Sequence, residues 1–248
     1  MDTRATDQGE SVENSSFFAQ MALDLQNEPT TERTIDKIAE YAQRATGCDD
    51  AGIVLVHARQ QIETAAATSA RVDESNHLQL VHAEGPSLDV MGGEPFYICG
   101  ALDADSRWPN WGPAAATLGY YSVLSMRLET KTRRYGALNL YSASRNAFSD
   151  DELAVASIFV QHASVALANA HNEEGLQAAI DARKLIGQAQ GILMERYSLD
   201  ANRAFEFLRR QSQTHNVKLR DVAAWIVDNR ATPDAVFTLG SQASAAGS

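Results

Sequence analysis

The side chains best suited to chemistry gather toward the C-terminus. Between residues 176 and 232 stand nine cations (Arg183, Lys184, Arg196, Arg203, Arg209, Arg210, Lys218, Arg220 and Arg230) and six acids (Asp181, Glu195, Asp200, Glu206, Asp221 and Asp228), a balance of +3. The whole chain carries −11, so the remainder carries −14. A phosphate backbone attracts cations and repels acidic surfaces. The asymmetry points to this segment as the part that would meet a polyanion, although a balance of +3 is a modest signal. Within it Arg183, Gly187, Gln190 and Met194 follow one another at +4, +3 and +4, the spacing that lines side chains along one helix stripe. That stripe offers a guanidinium, a small residue, an amide and a flexible apolar chain.

Other chemistries find little support. Cys48 and Cys99 lie 51 positions apart without CxxC spacing, which argues against zinc and against a disulfide scaffold and leaves them as small buried hydrophobes. His57, His77, His82, His162, His171 and His215 show no HxH or HExxH spacing, so no metal site is expected. No GxSxG, phosphate-binding loop or dinucleotide fingerprint occurs, and the expectation is a protein that is not an enzyme and carries no cofactor. The N-terminal MDTRATDQGESVENSS lacks the basic and apolar regions of a secretory signal. No stretch reads as the run of about 20 apolar residues that spans a bilayer. A cytoplasmic chain, away from the membrane, is expected.

The chain has 248 residues, of which 44% are hydrophobic and 21% charged. That gives room for one mid-sized domain and a small one. Residues 1–16 read as a disordered tail. Two short helices follow from Phe17 to about Thr46, broken at Glu28-Pro29 and stopped at Gly47. Ala51–Arg59 and Gln61–Ser69 read as paired strands, Asp73–Glu84 as a helix and Pro95–Asp103 as a strand. A turn at 106–113 leads to a short helix over Ala114–Leu118. Ser122–Glu129 and Tyr135–Ser142 then form a hairpin about the charged turn TKTRR. The pattern is an antiparallel sheet flanked by helices, the α+β class.

Ser149 stands three residues before Glu152, a capping box that starts a long helix. Its apolar positions run through Leu153, Ile158, Ala163, Leu167 and Ala170 to Leu176, with a bend or restart expected at HNEEG. A three-helix module follows. Its first helix turns Ala182, Leu185, Ile186, Ala189, Ile192, Leu193 and Tyr197 inward. Ser198 or Asp200 caps the second, with Ala201, Ala204, Phe205 and Leu208 inside. Leu219, Val222, Ala223 and Ile226 serve the third. The boundaries read as a sensor domain over 17–170, the module over 171–232 and a flexible tail over 233–248.

Arg183, Ile186, Ala189-Gln190-Gly191, Leu193-Met194, Ala204-Phe205, Leu208-Arg209, Ser212 and Asn216 through Leu219-Arg220-Asp221-Val222-Ala223 resemble the ANTAR family of RNA-binding antitermination modules. The chain departs from that pattern at Gln190, where the family often has lysine. SRWPNWGPAAATLGYYSVLSMRL and the stretch YGALNLYS through ALANA resemble GAF domains, which bind small molecules or act as dimerisation and relay units. Together the resemblances imply a GAF-like sensor joined by a long helix to an ANTAR-like module. That would be a ligand- or partner-responsive antiterminator that binds RNA hairpins as a homodimer.

On that resemblance, Arg183 contacts phosphate or stacks on a base, and Gln190 reads a base edge. The alternative is that the small residues of the stripe only admit another helix. Arg209, Lys218 and Arg220 cluster at the turn into the last helix as phosphate contacts. Ser212 and Asn216 are either RNA contacts or turn formers. Trp225 either stacks on an unpaired base or covers the small core. In the sensor, Tyr97, Trp108, Trp111, Tyr120 and Tyr121 line a ligand pocket or pack a turn against the sheet. Two rival functions stand beside the RNA reading: a sensor whose C-terminal helices serve only dimerisation or protein contact, and a cysteine-dependent reductase of the GAF type.

Overall fold

The structure, a computed structural model, describes residues 16–56 and 62–229. The two tails expected at residues 1–16 and 233–248 lie outside the described residues, apart from Ser16. So do His57, Arg230 and positions 57–61 of the expected strand pair. Contacts divide the chain into two units, residues 1–172 and 173–248. In the first, helix α1 (16–26) precedes α2 (Thr31–Thr46). Thr30 caps α2 by accepting a hydrogen bond from the Arg33 amide at 3.3 Å. Gly47 ends the helix in the left-handed region at φ 63°. Next come β1 (Asp50–Val56), β2 (Ile62–Ala67), α3 (Ala70–His82), α4 (Pro86–Gly92), β3 (Phe96–Cys99) and a single 3₁₀ turn at Leu102–Ala104. The unit closes with α5 (Trp111–Thr117), β4 (Ser122–Glu129), β5 (Arg134–Ser142) and the start of α6 (Asp150–Tyr197).

The five strands form one antiparallel sheet in the order β2-β1-β5-β4-β3, so the fold is α+β as the hydrophobic pattern implied. Side chains alternate across the sheet. One face sends Ile53, Leu124, Leu138 and Leu140 into a core shared with Ile38 of α2 and Phe159 of α6. The other sends Val123, Tyr141 and Cys99 into a second core with Val72, Trp108 and Trp111. Gly52 permits the close approach of α3, since a Cβ there would collide with Val72 Cγ1. The β4–β5 turn closes through Thr130 N–H donating to Arg133 O at 2.8 Å.

Three local expectations change. The strand expected over 95–103 is confined to Phe96–Cys99, because Leu102 turns into the second core through the 3₁₀ turn. Helix α4, set between Gly85 and Gly93 with Pro86 at its first position, is an additional element. Helix α6 runs unbroken from Asp150 to Tyr197, with no restart at HNEEG. Its capping box forms. Ser149 N–H donates to Glu152 Oε2 at 2.8 Å. Ser149 Oγ accepts from Asp151 N at 3.2 Å. Helix α6 also holds an 18-residue window of mean hydropathy 1.5, long and apolar enough to cross a membrane by length and composition, which corrects the sequence reading. Ala156, Phe159, Val160, Ala163 and Leu167 of α6 are buried in the first core, the pattern of a helix packed on a sheet.

In the second unit, the end of α6, α7 (Ala201–His215) and α8 (Leu219–Asn229) enclose a core of Ala189, Leu193, Ala204, Leu208, Val222, Ala223 and Ile226. Asp200, not Ser198, caps α7 by accepting from Arg203 N at 2.8 Å; Ser198, at φ 51°, follows the end of α6. The inner face of α7 is Ala204, Phe207, Leu208 and Gln211, while Ala201 and Phe205 are exposed. Tyr197 is likewise exposed rather than part of this core.

Candidate functional site

Seven cations of the second unit fall into two groups. Arg209 pairs with Glu206 at 2.5 Å, Arg220 with Asp221 at 3.2 Å and Arg203 with Asp200 at 3.6 Å, all among exposed side chains. Such pairs exchange readily with water and contribute about 0–1 kcal/mol. Among the described residues, Arg183, Lys184, Arg210 and Lys218 make no ion pair, and all four are exposed. Lys218 sits where α8 begins, its carbonyl accepting from Asp221 N at 2.9 Å and Val222 N at 3.2 Å. A cation at that end opposes the helix dipole. The charge of Lys218 therefore adds nothing to the stability of α8 and is left exposed to water.

The other candidates are held by the fold. Ser212 Oγ donates to Val217 O at 2.6 Å and locks the turn that Asn216, left-handed at φ 52°, makes possible. The Gln190 amide donates to Ala201 O at 3.2 Å, tying α6 to the first turn of α7. Trp225 is half-buried and packs on the core of this unit. A groove of about 620 Å³ between α6 and α8, lined by Gln188, Gly191, Ile192, Glu195, Arg196 and Val227, includes none of the expected RNA contacts.

In the first unit the aromatic candidates are mostly interior. Trp108 and Trp111 are fully buried, their rings 5.5 Å apart and edge-to-face. Trp108 Nε1 donates to Asp89 Oδ2 at 2.8 Å and Trp111 Nε1 to Ser75 O at 3.0 Å. Tyr97 meets Trp108 edge-on at 6.4 Å. Half-buried Tyr121 lies beneath the Arg145 guanidinium, 5.2 Å from the ring centre. Tyr97, Trp108 and Trp111 thus come together, and Tyr121 stands apart from them.

Beneath α3 and α4 lies a polar seam that the sequence reading did not single out. Tyr141 Oη and Asn139 Nδ2 donate to Asn76 Oδ1 at 3.0 and 3.1 Å. Asn139 also donates to Ser87 Oγ and accepts from Ser125 Oγ, each at 2.7 Å. Gln79 Oε1 accepts from Ser87 N at 2.9 Å. All of these side chains are buried. A signal existed in Asn139, a polar residue within the apolar run ALNLY, but its partners lie on other elements. The Tyr141 phenol stands well above its ordinary pKa, with desolvation the main cause.

Both cysteines are buried free thiols. Desolvation, with smaller contributions from nearby carboxylates, pushes Cys48 and Cys99 up to about 11. At neutral pH they are thiols rather than the thiolates that cysteine redox chemistry requires. Among the described residues no group of three or more His, Cys, Asp or Glu side chains is placed to hold a metal ion.

Comparison with known proteins divides the chain at nearly the same place. Residues 28–168 match the GAF domain model and residues 174–227 match the ANTAR domain model. No curated protein matches the chain. Among solved structures, a bacteriophytochrome from the photosynthetic bacterium R. palustris is similar at 12% identity with a TM-score of 0.52, covering 73% of this chain. The match spans only 42% of that bacteriophytochrome. The GAF domain of an Acinetobacter phosphoenolpyruvate-protein phosphotransferase is similar at 15% identity and TM-score 0.52, over 66% of this chain and 98% of that one. Free methionine-R-sulfoxide reductase from Neisseria meningitidis is similar at 13% identity and TM-score 0.53, over 66% of this chain and 93% of that one. At these identities the likenesses describe the fold of the first unit.

Proposed function

Because the chain belongs to the GAF domain family and carries an ANTAR domain after it, the architecture of a sensor-regulator, we propose that it is a transcription antitermination regulator. Its C-terminal unit binds RNA hairpins as a homodimer, and its GAF domain responds to a small molecule or a protein partner. It acts in the cytoplasm, without catalysis. The observation that carries this reading is the overlap of the ANTAR match with a segment of positive balance, where Arg183, Lys184, Arg210 and Lys218 make no ion pair among the described residues. Cations left in water are available to replace counterions on a phosphate backbone. The sensor acts by biasing the connecting helix between states that present the two modules to paired hairpins or keep them apart.

The test is binding of the full chain to a labelled RNA of two hairpins in tandem across a salt series, with duplex DNA of equal length as control. The reading expects hairpin-dependent binding whose logarithm falls linearly with log salt, with a slope of a few charges. A demonstrated dimer that shows no preference for RNA over DNA would reject it. The second reading, a C-terminal unit used only for dimerisation, draws on the apolar Leu176 and Ile180 exposed on α6. Lys218→Glu with Arg220→Glu separates the two. Lost RNA binding with the dimer intact supports the first, and unchanged RNA binding removes these two residues from the proposed contact.

A further inference from the structure

Phe205 is one of the few large apolar side chains exposed in the second unit, with 37% of its surface in water, and it takes no part in the core formed by Ala204, Phe207 and Leu208. A single exposed aromatic is ordinary. Its neighbours on α7 are not. One turn before it is Ala201, whose carbonyl receives the Gln190 amide at 3.2 Å. One turn after it is Arg209, and a further turn on is Ser212, at the i+4 and i+7 positions that share a helix face. Arg209 and Ser212 therefore share the row that holds Phe205, and the Gln190 amide reaches the first turn of that row from α6. Arg209 is held there only by its exposed pair with Glu206, which a phosphate can replace at little cost.

We propose that Phe205 is a stacking platform for an unpaired base of the RNA hairpin loop, with Arg209 contacting the adjoining phosphate and Gln190 standing at the platform's far edge. The inference rests on the RNA reading above and adds the recognition element to it. An aromatic face accepts any base, so the row confers preference for unpaired over paired RNA rather than for one sequence. The acidic balance of the rest of the chain, against the positive balance here, favours a polyanion over an acidic protein surface as the occupant.

The experiment compares full-length wild type with Phe205→Ala, Phe205→Leu and Phe205→Trp, using labelled tandem-hairpin RNA and the same RNA with abasic loop positions. Stacking by one base corresponds to a loss of roughly five- to a hundredfold in affinity for Phe205→Ala and Phe205→Leu. The salt slope stays unchanged because no charge is removed. Phe205→Trp keeps the affinity, and RNA alters its indole fluorescence. Abasic loops weaken wild type but leave Phe205→Ala where it was. Equal affinity of wild type and Phe205→Leu overturns the inference while leaving the RNA reading standing. So does an equal abasic penalty in wild type and Phe205→Ala. Dissociation of the dimer by Phe205→Leu overturns it too and assigns the residue to a subunit seam. A wild type that binds no hairpin RNA removes the RNA reading, and the inference with it.

Discussion

Trp111 and Phe205 are large aromatics on helices of the two units, and the fold treats them differently. Trp111 is fully buried in the second core of the sensor, its indole N–H donated to Ser75 O. Phe205 stands outside the core of the C-terminal unit. Polar groups divide in the same way. In the sensor, Asn139, Tyr141 and Gln79 are hydrogen-bonded beneath α3 and α4, whereas Arg183, Arg210 and Lys218 in the second unit are exposed and make no ion pair among the described residues. A group whose bonding capacity is met inside the protein contributes to stability. One left in water is available for a partner.

Paired substitutions test that contrast, with the largest effect expected at Trp111. Trp111→Ala removes a fully buried indole and leaves a cavity, at a cost of about 3–5 kcal/mol. Phe205→Ala falls within the range of about 0.5 kcal/mol seen for surface positions. Chemical denaturation followed by circular dichroism measures both, and similar losses would dissolve the distinction. Asn139→Ala comes next. It strips hydrogen-bond partners from buried Asn76, Ser87 and Ser125, which costs about 1–3 kcal/mol. Arg210→Ala leaves the denaturation midpoint unchanged and lowers RNA affinity and its salt slope together.

Much of this division is legible in the sequence, and the misreadings have physical causes. The β4–β5 hairpin shows because alternating apolar strands flank a charged turn, and the capping box at Ser149 marks the start of α6. The inner face of α7 does not show. Ala201, Ala204, Phe205 and Leu208 span an arc of a helical wheel as narrow as that of Ala204, Phe207, Leu208 and Gln211, so periodicity cannot choose between them. Only contact with Val222 and Ile226 of α8 selects the second set. The polar seam is hidden for a related reason: Asn76 and Tyr141 are 65 residues apart, and only the sheet and α3 bring them together. For Trp108 and Trp111 the residue types are visible, but burial depends on the 3₁₀ turn and α5 closing over the sheet.

A smaller effect is expected at Asp200, which caps α7 through the Arg203 amide. Asp200→Ala costs about 1 kcal/mol. Hydrogen exchange should show it as faster exchange in the first turn of α7, with the amides of β4 and β5 unaffected. Equal acceleration in the strands would mean that the two units unfold together, and the contrast between sensor and module would then not extend to their stability.

The smallest effect belongs to Glu152 in the other cap. The Ser149 hydroxyl and amide hold its carboxyl below the usual glutamate range. A carboxylate depressed in the folded state contributes stability that is present above its unfolded pKa, about 4.3. That contribution is lost as pH falls through the lower folded value. Glu152→Gln retains the geometry of a capping box but not the charge that favours a helix N-terminus. The variant should melt slightly below wild type at pH 7, and the two melting curves should converge once the pH has fallen below the depressed folded pKa. A gap that persists under those acid conditions would trace the difference to packing at the start of α6. Convergence would show that a solvent-exposed cap, like the exposed cations of the second unit, acts through its charge.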